Sequence, residues 1–487
     1  MSTHPLTKST YVQGKRCLKA LFLKERHPEP PLSRSDIKTI RDGMSVGEHA
    51  RSLYPEGILI TAKEMEMALL QTKKEMEAGA LVLFEAAFFH EGVFIRTDIL
   101  KRETSDGPWS LYEVKSGTAS DPDVLKEYSR DIAIQFWVLK GCGLVIDGTF
   151  LMHLNNKCVY PNLSDLFCIK NMREEVNALL EEIPSDLETM RSVLRQGLEP
   201  RLDIGPHCLK PTPCPFKAYC WKEVPKPGIF DIPNCRKRWE FYRQGKVGVN
   251  DLSEKDYRNK TQKRALRCYQ TNELFLDQYK LQKAFSKWKW PLTYFDIEAI
   301  SYPIPRYSKT IPWQYLPFQF SCHIQEEAGE IRHIEFLHQS AEDPRPSFIE
   351  HMIRAFPEKG SIVVYYKPFE IGRLKELGRD FPEYASIMQG YIKRIVDLKE
   401  VIEESVYHPL FLGSFSIKKV APALLGSESS YSALGVKDGM DAMVSFLEML
   451  ESPIDAARIR HDLLEYCKQD TYLMVKLHRY LLDRVHP

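Results

Sequence analysis

The chain has 487 residues, 43% hydrophobic, 27% charged and 11% aromatic, enough for about three average domains or two large ones. Its 67 Lys and Arg nearly cancel 66 Asp and Glu, so no global charge points to a polyanionic partner, and the mix excludes disordered, collagen-like and coiled-coil architectures. No apolar run reaches about 18 residues, and the N-terminus MSTHPLTKSTYVQGKRCLK lacks an apolar signal core, so a cytoplasmic protein is expected. In that compartment the odd count of eleven cysteines argues for free thiols or metal ligands over a disulfide framework.

In chain order, Thr61 and Glu64 form a capping-box pattern ahead of a helix that Gly79 stops. Three β-rich segments follow, LVLFEAAFF, GVFIRTDIL and WSLYEVKS. Leu125, Tyr128, Ile132 and Gln135 then fall at helical spacing, TFLMHLNN reads as a strand, and a long helix runs from about Arg173 to Gly197. A segment with six prolines and three cysteines in 26 residues, KPTPCPFKAYCWKEVPKPGIFDIPNC, looks metal-tied. From Arg236 to Lys289 there are 15 basic against 6 acidic residues. Trp239, Tyr242, Tyr257, Tyr269 and Tyr279 interleave with them, a pattern that suits nucleic-acid contact as well as a solvated helical linker. At Trp290 a second α/β pattern begins: strands PLTYFDIEAI and LPFQFSCHI, helix SFIEHMIRAF, strand SIVVYY, then helices.

Residues two apart in a strand share a face, so Glu113 and Lys115 point the same way, near Asp98 of the preceding strand. Two carboxylates and a lysine suit metal-dependent phosphodiester hydrolysis, the acids holding Mg²⁺ or Mn²⁺ through hard oxygen ligands. An ion pair on a strand surface has the same residues. The order of a helix, a strand with Glu85, a strand with Asp98, the Glu113-x-Lys115 strand and a helix with Gln135 resembles the PD-(D/E)XK nucleases, specifically their RecB-like branch. GMSVGEHARSLYP is similar to that branch's Gly-x-x-x-His segment, which implies His49 as a further metal ligand.

Cys208, Cys214 and Cys220 stand at even five-residue gaps among prolines, with Cys17 far upstream. Such thiols suit a cage for zinc or an iron–sulfur cluster. One cysteine before the nuclease core and three after it resembles the iron–sulfur RecB-like nucleases, such as CRISPR-associated RecB-like exonucleases. That resemblance implies a four-iron (4Fe-4S) cluster on Cys17, Cys208, Cys214 and Cys220.

TYFDIEAI places Asp296 and Glu298 on one face of an apolar strand, where two like charges repel unless a cation lies between them. Tyr466 and Asp470 stand at i and i+4 on a helix, and Glu370 lies just beyond a strand. This resembles the DnaQ-like 3′→5′ exonucleases of the RNase H-like fold. The resemblance implies Asp296, Glu298, Glu370 and Asp470 as ligands of two metals and Tyr466 as the residue that positions water. The middle motif departs from the usual pattern in having Glu370 and Tyr366, and Asp397 is a second candidate for its acid.

The expected fold class is thus α/β. It comprises a restriction-endonuclease-like domain over residues 1–224, a basic, largely helical linker over 225–289, and an RNase H-like domain over 290–487. The whole resembles an uncharacterised bacterial group that fuses these two domains. It implies a metal-dependent nuclease acting on DNA, on single strands or ends. A nucleic-acid-binding scaffold with degenerate sites and an RNA-processing exonuclease remain the alternatives.

Overall fold

The computed structural model describes residues 5–27, 32–431 and 434–485, so the first four residues of the stretch read for a signal core lie outside it. The chain divides into two compact units, Met1–Lys222 with Tyr302–Trp313, and Glu223–Ser301 with Gln314–Pro487. The basic segment therefore gathers with the second unit, and a short piece of the later sequence gathers with the first.

The first unit is built on β1 (Leu6–Thr7), β2 (Ile58–Leu59), β3 (Val82–His90), β4 (Val93–Arg102), β5 (Trp109–Lys115), β6 (Ile146–Leu154) and β7 (Phe167–Asn171). They form one sheet in the order β2-β3-β4-β5-β6-β7, with β1 beside β4. β3, β4 and β5 run antiparallel and β6 lies parallel to β5, its strand reached through the helix Pro122–Gly141. That helix and Ile183–Gln196 bury Ile132, Val138, Leu187 and Met190 against Leu100, Trp109 and Leu111. Ala50 of the helix Arg34–Ser52 packs with Phe84, Ile99 and Met152 in a second cluster.

Two local expectations fail here. The helix after Lys63 is Met65–Glu77, with Glu64 at its N-cap making no side-chain bond, and Gln71 Oε1 accepts from the Ala62 amide at 3.1 Å. Thr61 therefore caps nothing, although Gly79, at φ +89°, does close the helix. The long helix from Arg173 is two, Arg173–Leu180 and Ile183–Gln196, since Pro184 cannot continue the first and opens the second.

The second unit contains β8 (Phe275–Leu276), β9 (Leu292–Ser301), β10 (Tyr315–Gln325), β11 (Ile331–Leu337), β12 (Ser361–Val364), β13 (Ile395–Asp397) and β14 (Val406–Tyr407). β8 and β14 pair as a ribbon, and the others form a sheet in the order β11-β10-β9-β12-β13. β9, β10 and β11 make an antiparallel meander, while β12 and β13 lie parallel to β9. β9 is covered on both faces, which explains its nearly unbroken apolar run. On one face Phe348, Met352, Leu374 and Met388 pack on Phe295, Ile297 and Phe320. On the other, the helices Gly439–Glu451 and Ala456–Leu482 dock: Phe446 stacks on Phe318 with centroids 4.0 Å apart, and Gln319 Nε2 donates to the Leu463 carbonyl at 2.7 Å.

The basic segment is less helical than expected, with short helices at Arg238–Arg243, Lys260–Thr271 and Gln278–Phe285 between turns. Much of its aromatic and cationic interleaving is packing. Tyr257 is buried, and so is Tyr269, hydrogen-bonded to Tyr407 at 2.6 Å. Arg267 pairs with Glu254 at 2.9 Å and Arg264 donates to the Glu404 carbonyl, while Tyr279 stays open to solvent. Among the described residues no helix is long and apolar enough to cross a membrane.

Candidate functional site

In the first unit the Ile99↔Tyr112 register sets Asp98 beside Glu113 across the β4–β5 pair, and the Val114 amide donates to Asp98 Oδ2 at 2.7 Å. Glu113 is fully buried and receives Lys115 Nζ at 2.6 Å, Gln135 Nε2 at 2.7 Å and Lys8 Nζ at 3.0 Å. Burial alone would raise its pKa, but the charges of Lys115 and Lys8 hold it below the ordinary range. Burial and the charge of Glu113 push Asp98 up to about 7. The structure thus gathers Asp98, Glu113, Lys115 and Gln135. It adds two residues the sequence reading missed: Lys8, and Asp131, whose carboxylate takes Lys115 Nζ at 2.6 Å. Asp131 stands four before Gln135 on one helix face, a spacing that could have disclosed it. Lys8, a hundred residues away, left no such trace. His49 stands on the helix Arg34–Ser52 with its ring 6.2 Å from that of Phe167, and Gly47, Glu48 and Arg51 of the same helix line a cleft with Glu85 and Asp98.

All eleven cysteines are free. Cys17, Cys214 and Cys220 pack around Ala20, Phe22, Leu23 and Phe216. The Cys214 amide donates to the Cys208 carbonyl at 2.9 Å, so all four expected ligands come from one locality. Arg16 ties this corner, donating to the His207 carbonyl at 2.7 Å and to that of Thr212. Among the described residues no three of these sulfurs lie within 4.8 Å of one another.

In the second unit β9 turns Tyr294, Asp296 and Glu298 towards the helix Ala456–Leu482, where Tyr294 meets His478 Nδ1 at 2.6 Å. One turn structure of that helix presents Tyr466, Cys467 and Asp470 to the strand. Carboxylate oxygens of Asp296, Glu298 and Asp470 lie within 4.8 Å of one another, an arrangement that could hold a divalent cation. They line a cavity with Tyr365, Tyr366, Lys399, Lys418 and Tyr466. Burial, then the charge of Asp470, raises the Asp296 carboxyl well above its ordinary range; burial and the charge of Asp296 do the same to Glu298. Asp470, also raised by burial, reaches only about 6, because Tyr431 donates a hydrogen bond to its Oδ1 and Lys418 stands nearby. Cys467 places its Sγ 3.6 Å from Asp296 Oδ2.

Glu370 is not part of this cluster. It sits in the first turn of the helix Lys367–Asp380, is 2% exposed, and its Oε2 has no partner among the described residues. Burial and the charge of Asp296 hold its carboxyl well above the ordinary range. A raised pKa stabilises the fold below the ordinary carboxylate value and withdraws that stability as pH rises. Glu370→Gln is therefore expected to stabilise the metal-free protein by about 1–3 kcal/mol at pH 8, and by less at pH 5. Urea unfolding at the two pH values tests this, and an unchanged midpoint at both would refute it. Asp397 is occupied otherwise: its oxygens accept from the backbone amides of Lys367 at 2.8 Å and Lys399 at 2.9 Å, which makes it a cap shared by two helices.

Residues 293–416, which hold Asp296, Glu298 and Glu370 but stop short of Tyr466 and Asp470, match a domain of unknown function, DUF2779. An uncharacterized protein of Mycoplasma pneumoniae (strain ATCC 29342 / M129 / Subtype 1), the MG366 homolog, is 26% identical over 226 residues, which is 42% of this chain. The match spans about a third of that relative, 34% of its length. Among solved structures, an alkaline exonuclease from Laribacter hongkongensis (LHK-Exo) is similar over 39% of this chain and 94% of that one, at 13% identity. Its TM-score is 0.21, too loose a superposition to carry an argument.

Proposed function

We propose that this protein is a metal-dependent nuclease with two phosphodiester-hydrolysing sites that acts on single strands or ends of DNA. The observation that carries the reading is the second site: three carboxylates within 4.8 Å, two of them buried and Asp296 half-buried, beside a tyrosine and a lysine, in a cavity open to a substrate. Two features support an RNase H-like exonuclease there. The strand order is third-second-first-fourth-fifth, the first three antiparallel and the last two parallel to the first, and the D-x-E pair is on the central strand with Tyr466 and Asp470 on the facing helix.

Hard carboxylate oxygens fit Mg²⁺ or Mn²⁺, and Asp296, Glu298 and Asp470 would hold the ions, while Glu370, outside that group of three, would be a fourth acid near Asp296. Such ions lower the pKa of water and stabilise charge on the departing oxygen. The protein's own groups do the rest. Tyr431 donates to Asp470 Oδ1 and so fixes the orientation of that carboxylate. Tyr466, buried between the cluster and Lys418, orients the attacking water.

In the first unit the grouping of Asp98, Glu113, Lys115 and Gln135 supports a PD-(D/E)XK site of the RecB-like kind. Asp98, in a cleft with Glu85 and Glu48, is the acid most open to an ion, and Lys115 would offset charge on the phosphate. The four thiols Cys17, Cys208, Cys214 and Cys220 suit a 4Fe-4S cluster better than zinc.

The test is digestion of end-labelled single-stranded DNA and matched RNA with Mn²⁺ or Mg²⁺. DNA is expected to be degraded, and EDTA to stop it. Salt-dependent binding without turnover in any divalent metal would instead support a scaffold, and faster loss of the RNA would support RNA processing.

A further inference from the structure

We infer that Lys418 is a further catalytic residue of the second site, an ammonium that contacts the phosphate being cleaved. The inference rests on the proposed nuclease activity of that site. Lys418 stands in the first turn of the helix Ile417–Leu425 and lines the same cavity as the three acids. Its Nζ donates to Tyr466 Oη at 2.9 Å and lies 4.9 Å from the Tyr466 ring centroid and 5.2 Å from that of Tyr431.

A lysine beside three carboxylates would ordinarily close an ion pair with one of them. Here the two tyrosine rings hold the ammonium, and among the described residues it is within 4.0 Å of no carboxylate. An ammonium has three donors, and Tyr466 takes one, so two remain for an anion. Lys399, the other lysine of the cavity, is spent: it pairs with Glu403 at 3.0 Å.

A phosphodiester approaching three acids needs cationic donors where negative charge builds on its non-bridging oxygens. In the step, the water oxygen bonds to phosphorus and the P–O3′ bond breaks, its electron pair leaving on O3′. The proton lost by water returns to O3′ through solvent, and Lys418 stays protonated throughout. Because Tyr466 Oη accepts from Lys418, the phenolic hydrogen is left to donate into the site.

The test uses the full chain in an Asp98→Ala background, which removes the first site. It compares Lys418→Met, Lys418→Arg and Asp296→Ala on strands ending in a phosphodiester or an uncharged methylphosphonate. Expected are a 100- to 1,000-fold lower kcat for Lys418→Met, Mn²⁺ affinity within about threefold of the parent, partial rescue by Lys418→Arg, and a collapse of the parent's preference for the charged linkage. Lys418→Met within about threefold of the parent while Asp296→Ala is dead would overturn the inference and leave the nuclease reading standing. So would a retained preference for the charged linkage, or a parallel loss of Mn²⁺ affinity and thermal stability, which would mark a structural lysine. A parent as inactive as Asp296→Ala would overturn both.

Discussion

Asp296→Ala is expected to lower strand digestion by the second unit by at least about three orders of magnitude, and to stabilise the metal-free protein while doing so. Asp296 lies at the centre of the acidic cluster, facing Asp470 and Glu298 and touched by Cys467. Burial and the charge of Asp470 raise its pKa, so its contribution to stability is present at acid pH and lost as pH rises. At pH 8 the cluster stores repulsion that only a cation relieves, and alanine removes one of the three charges. Mn²⁺ at about a hundred times its dissociation constant should stabilise the wild type by about 2.7 kcal/mol, an increment the variant loses. The kinetic loss matches the several kcal/mol that metal ions supply at such transition states. Thermal unfolding with and without Mn²⁺, alongside digestion in the Asp98→Ala background, measures both effects. Undiminished digestion by the double variant would end the assignment.

The second large effect concerns the cysteines. Cys17 and the 208–220 segment are about 190 residues apart in sequence, and a cluster bound by both closes that loop. Limiting the unfolded chain in this way stabilises by about 5 kcal/mol on the loop-entropy estimate. Cys214→Ser is therefore expected to strip the iron and the visible absorbance from anaerobically purified protein and to cost the first unit most of that stability. Cys158→Ser is the control: its buried thiol donates to the Asn162 carbonyl at 3.4 Å, and its loss should cost about 1 kcal/mol. A colourless, iron-free, zinc-loaded wild type would refute the cluster.

Residues whose partners are two or four positions away were legible because strand and helix geometry converts such spacing directly into a shared face. Asp296 with Glu298, Glu113 with Lys115, and Tyr466 with Asp470 are of this kind. The strands carrying them were legible too, since β9 is a mostly apolar run and β5 alternates. The Thr61 cap failed because the helix begins at Met65 with Glu64 at its N-cap, so Glu64 does not stand three residues into the helix as a capping box requires. The aromatics of the basic segment misled because cations and rings look alike in sequence whether they meet a base or, like Tyr269, a neighbouring tyrosine.

By itself, then, the sequence determined two α/β halves and the pairs of site residues two or four positions apart within them, set by local periodicity. Only the tertiary structure decided which charges share a site. It joined Lys8 and Asp131 to Glu113, and Lys418 and Tyr431 to the second cluster. It also left Glu370 outside the group of three carboxylates. The reason is physical. A buried carboxylate must find a partner or shift its pKa, and that partner is supplied by whichever element packs across from it, at a separation no sequence spacing encodes.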